Sequence, residues 1–84
     1  RIGRIEFSNH HDMLRDLLYS VGEEVSLAIF EDVLRLLFEQ DLVTRQEMNL
    51  LLAMATDRVL GDDANLIRAN MLRQLLQEVD RKGK

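Results

Sequence analysis

Side chains able to do chemistry are few in this 84-residue chain, and their spacing limits what they can do. His10 and His11 are the two histidines. Neighbours on a helix point about 100° apart, so they cannot share one ion as a pair four positions apart would. Glu6 and Asp12 lie close by without a ligand pattern, and the histidines read as residues of an exposed helix start. Cysteine is absent, which removes disulfides, thiolate nucleophiles and sulfur ligands together. Ser8, Ser20 and Thr44 fall where helices are expected to begin and have capping roles there, while Ser26 and Thr56 read as helix-interior positions. Glu23, Glu24, Glu31, Asp32, Glu39 and Asp41 read as a solvated acidic face rather than an opposed acid–base pair. The four glycines are isolated, so no phosphate-cradling loop is formed, and Asp57 to Asp63 lacks the alternating oxygen ligands of a calcium loop. No catalytic residue, cofactor or metal is assigned, and the chain is expected not to be an enzyme.

The cations offer a second kind of chemistry. Residues 23–43 carry a charge of −5 and residues 44–63 carry −2, whereas residues 64–84 carry +3. Arg68, Arg73, Arg81 and Lys82, joined by Arg1 and Arg4, are the candidate contacts for an anionic partner such as nucleic acid. The competing reading is surface charge that suits a helix C-terminus and pairs with the acidic second helix. The whole chain has a net charge of −4 and a pI near 5.0, which argues against a nucleic-acid or anionic-membrane binder that uses its entire surface.

Positioning falls to helices. Proline is absent and leucine abundant, a balance that favours helix over sheet. Helices are expected at about 10–20, 23–40, 45–60 and 63–81, behind an arm at 1–8, all in one domain spanning 1–84. Met13, Leu14, Leu17, Leu18 and Val21 form the first apolar face, followed by a break near a capping-box pattern at Ser20 and Glu23. In the second helix Val25, Ile29, Val33 and Leu36 make one stripe, and Leu27, Phe30, Leu34, Leu37 and Phe38 another. Thr44-Arg45-Gln46-Glu47 is a capping box, with Val43 and Met48 placed as a hydrophobic staple. Gly61 supplies a left-handed C-terminal position, and Asp62 or Asp63 caps the last helix, whose apolar face is Ile67, Met71, Leu72, Leu75, Leu76 and Val79. The connections are short, so consecutive helices should be antiparallel neighbours.

With 46% hydrophobic residues the chain can build one small core, and a domain of this size holds only about 3 to 5 kcal/mol from that core. Leu36-Leu37-Phe38 and Leu50-Leu51-Leu52 each spread apolar groups over about 200° of a helix, more than one neighbour covers. The fold class expected is therefore all-α, a small up-and-down bundle of three to four helices completed by dimerisation. Leu37, Phe38, Leu51 and Leu52 are the expected dimer-interface residues. No apolar run approaches the ~20 residues of a bilayer span, and no signal-type block is seen. A soluble, cytoplasmic protein without membrane contact is expected.

The order Val33, Val43, Met48, Leu51, followed by Arg68-Ala69-Asn70-Met71-Leu72-Arg73-Gln74-Leu75-Leu76-Gln77-Glu78-Val79, resembles the small helical connector proteins of biofilm and acid-resistance regulation. The resemblance covers about the last fifty residues and implies a helical, dimeric regulator. The function expected is a non-enzymatic interaction module that forms a homodimer through leucine-rich faces and presents a surface to a second protein. The alternative is a small regulatory protein that contacts nucleic acid through the basic surface of its last helix.

Overall fold

A computed structural model describes residues 12–82, and every regular element among them is helical. Helix α1 covers 12–20, α2 Leu27–Glu39, α3 Arg45–Met54, α4 Asp57–Leu60 and α5 Ala64–Lys82, with a single 3-10 turn at Gly61–Asp63 before α5. The expected arm, the histidine pair and the Ser8 cap lie outside the described residues.

Hydrogen bonds and packing define the topology. The Val25 N–H donates to the Asn65 carbonyl at 2.9 Å, so α2 and α5 begin side by side. Leu37 and Val43 at the other end of α2 cluster with Leu76 and Val79, so the two helices run parallel. Ala55, after the end of α3, returns to the cluster of Val25, Phe30, Leu34, Ala69 and Leu72. Leu14 of α1 joins Leu37, Leu76 and Val79. Helices α1 and α3 thus run opposite to α2 and α5, on the two flanks of the α2–α5 pair. This is the expected up-and-down bundle. Phe30, Leu34, Leu37, Leu72 and Leu76 are its fully enclosed side chains.

Helix α2 ends in a Schellman arrangement. The Leu42 N–H reaches the Leu37 carbonyl at 2.9 Å and the Asp41 N–H reaches Phe38 at 3.0 Å. Asp41 occupies the left-handed position at φ 61°, where glycine is the usual residue and aspartate is tolerated at a cost.

Two helix boundaries differ from expectation, and one side chain explains both. Arg68 of α5 is 3% exposed. Its Nε donates to the Val25 carbonyl at 2.9 Å and its Nη1 to the Ala55 carbonyl at 2.7 Å and to Asp57 Oδ1 at 2.8 Å. Its Nη2 donates to Asn65 Oδ1 at 2.6 Å. A buried guanidinium needs these acceptors, and both backbone carbonyls are free for it only if the chain leaves the helical path at those points. Helix α2 therefore starts at Leu27 rather than near residue 23, and the Ser20–Glu23 box does not cap it. Ser26 does so instead, in extended conformation, with its Oγ accepting from the Ile29 N–H at 3.3 Å. The third helix likewise stops at Met54. Thr56 is extended and opens α4, while its hydroxyl donates to the Ala53 carbonyl at 3.3 Å. Ser26 and Thr56, expected inside helices, are thus the residues before two helix starts. Gly61 has the expected positive φ of 79°, but its ψ of −148° lies outside the left-handed helical region, and Asp62 and Asp63 sit within the 3-10 turn.

Replacing Arg68 with Met should strand the Val25 and Ala55 carbonyls and destabilise the fold by about 3 kcal/mol or more. Asp57→Asn should cost about 1 kcal/mol or less, because the Asp57 side chain is 78% exposed and water screens its half of the pair. Urea denaturation of the two variants checks this, and equal losses would contradict the geometry. Asp41→Gly should instead stabilise by about 0.5 to 1 kcal/mol through relief of the left-handed backbone, visible as a higher Tm.

Candidate dimerisation interface

The site is built on α3, whose start is tightly defined. Thr44 Oγ1 accepts from the Glu47 N–H at 3.0 Å, and Glu47 Oε1 accepts from the Thr44 N–H at 2.8 Å, closing the expected capping box. The Thr44 amide favours the charged carboxylate and holds the Glu47 pKa below its ordinary value. Buried Val43 and half-buried Met48 pack in one cluster, as the staple pattern requires.

Within a single chain this well-capped helix buries no residue. Met48, Leu51 and Leu52 are half-covered, while Leu50 is 61% and Met54 46% exposed. Leu51 and Met54, three positions apart, form the flank of α3 next to α5, and Leu50, one turn before Met54, extends that flank toward solvent. There Leu51 and Met54 line a groove with Met71, Gln74, Leu75 and Glu78 of α5. Leu50 and Met54 are apolar side chains that no other part of the described chain covers.

The four expected interface residues separate. Leu51 lies in the α3–α5 groove. Leu52 is half-buried against the cluster that contains Phe30 and Leu34. Phe38 is half-buried at the α2–α3 end, with the Arg45 guanidinium 5.8 Å from its ring centroid, a distance suited to a cation–π contact. Leu37 is fully buried inside the chain, which corrects its assignment to a subunit contact: its flank of α2 faces α5. Leu50, Met54, Met71 and Leu75 join Leu51 on the open face of the single chain. The leucine and methionine positions were visible as helical stripes, but periodicity does not say which stripe stays open once a chain has folded.

The cations separate too. Arg68 is spent inside the fold, which corrects its expectation as a contact for an anionic partner. Arg73 is half-buried and donates to Asn70 Oδ1 at 3.0 Å and to the Gly22 carbonyl. Arg81 and Lys82 are exposed in the last turn of α5. Among the described residues no group of three or more His, Cys, Asp or Glu is placed to hold a metal, and no helix is long and apolar enough to cross a membrane.

An all-helical bundle with an open apolar face on a capped helix defines a class, the self-associating helical domain. Residues 9–77 match the CtsR C-terminal dimerization domain, and the chain belongs to that family. This replaces the likeness to biofilm and acid-resistance connectors as the statement of kinship. No curated protein matches the chain.

The lowered Glu47 pKa has a signed consequence. A depressed folded-state pKa contributes stability that is present above the unfolded value and is lost as pH falls through the folded one. The stability advantage of the native chain over Glu47→Gln should be present at neutral pH and shrink once pH drops below the ordinary carboxylate range. Denaturation curves across that window check it, and a gap that widens toward acid would contradict the capping-box account.

Proposed function

We propose that this domain joins two copies of a regulatory protein by pairing the α3–α5 faces of two chains about a twofold axis. The observation that carries the reading is α3 itself: it has a complete capping box, three consecutive leucines and two methionines, yet no buried residue in the isolated chain. A second copy of the same face covers Leu50, Leu51, Met54, Met71 and Leu75 with like apolar groups, which a twofold contact does by self-complementarity. Kinship with a dimerization-domain family supports the same reading. Gln74 and Glu78 border the patch as its polar rim. The domain contributes binding rather than catalysis in this reading, and the regulatory action belongs to what it pairs.

Leu50→Asp tests the assignment. Leu50 is mostly exposed in the single chain, so the substitution leaves the core intact but places a carboxylate in the proposed apolar contact. Light scattering at micromolar concentration should show a dimer for the native chain. The variant should be a monomer, or have a dimer constant weakened by about a hundredfold or more, while its helical circular dichroism is kept. An unchanged dimer constant would overturn the assignment of this face.

A further inference from the structure

The opposite flank of the bundle carries a second groove, between α1 and α2, of about 210 Å³. Leu17, Val21, Val25, Val33 and Leu72 are among its lining residues, and Ile29 stands beside them 53% exposed. Its border is acidic. Glu24 lines it directly. Asp16 lies one turn before the lining residue Ser20 on the same flank of α1, and Asp32 follows Ile29 by three positions on α2. All three carboxylates are exposed. Arg73, whose guanidinium reaches the lining residue Gly22, is committed to the Gly22 carbonyl and Asn70.

We propose that the α1–α2 groove docks a cationic amphipathic helix of another protein. Two antiparallel helices leave a furrow that fits a third helix, with apolar side chains set between them and lysines or arginines reaching the acidic rims. A second copy of this chain is the poorer occupant on charge. Its open apolar face, at Leu50 and Met54, is bordered by Glu47 and Glu78, so it brings no matching cations to the acidic rims. The groove lies across α2 and α5 from the α3–α5 face, so docking there is compatible with the dimer proposed above and does not depend on it.

The test titrates the full chain with a synthetic Leu/Lys amphipathic helix and with its Leu/Glu counterpart, following amide shifts by NMR and subunit state by light scattering. The Lys peptide should shift the amides of Leu17, Val21, Ile29 and Val33 and leave the mass per particle consistent with an unbroken dimer. The Leu/Glu peptide should not bind. Reversing two of the three rim charges with Glu24→Lys and Asp32→Lys should weaken the Lys peptide by about tenfold or more, and Ile29→Gln should weaken it without changing the fold or the dimer. Equal binding of both peptides, shifts confined to α3 and the facing side of α5, or indifference to charge reversal would overturn the proposal. Loss of the dimer in Ile29→Gln would also overturn it, by showing that a second copy covers the groove. Loss of the dimer in Leu50→Asp alone bears on the other face only.

Discussion

A guanidinium removed from water must find acceptors in the interior, and the shape of this bundle follows from where Arg68 finds them. Its four hydrogen bonds gather the approach to α2, the corner between α3 and α4, the start of α4 and its own helix. Two acceptors are main-chain carbonyls, which a continuous helix would keep for itself. The extended backbone at Ser26 and Thr56 is the price of exposing them. What is gained is specificity of arrangement. Few other packings of these helices bring Val25, Ala55 and Asp57 to one point, and a competing packing would leave a charge buried without partners.

The position of α3 is a consequence of that knot. Its C-terminal end is held at Ala55 and its N-terminal end by Val43, buried with Leu37 and Leu76, so the helix lies along the flank of α2 and α5 with its direction fixed at both ends. Between those ends it has too little neighbouring surface to bury anything completely. The chain therefore folds with a well-capped, incompletely covered helix at its edge, a surface formed before any partner arrives. On the other flank α1 buries Leu14 in the core, and the space left between α1 and α2 is bordered by acid.

What could be read from the sequence, and what could not, follows the range of the interactions concerned. The Thr44 box and the Val43–Met48 staple involve residues three to five apart, and they were legible before any fold was known. The helix starts at Leu27 and Asp57 were not, because their cause is a side chain 43 residues from Val25 and 13 from Ala55. One signal was available. Ala64, Arg68 and Leu72 follow a four-residue spacing on the core face of α5, so a lone arginine sat where an apolar residue was due. Counting it as surface charge overstated the basic character of the last helix, whose exposed cations among the described residues are Arg81 and Lys82. The interface residues show the same limit. Leu37 and Leu51 both lie on apolar stripes, but only the arrangement of neighbouring helices buries the first and leaves the second at an open groove.

The most direct test of the account is the distance between copies. The chain has no cysteine, so spin labels can be placed singly at Gln74, beside the α3–α5 groove, and at Tyr19, which is 95% exposed on α1. In the dimer, paired labels at Gln74 should lie close together across the twofold axis, and paired labels at Tyr19 should lie far apart. A short Tyr19 distance with a long Gln74 distance would contradict the account and place the subunit contact on α1.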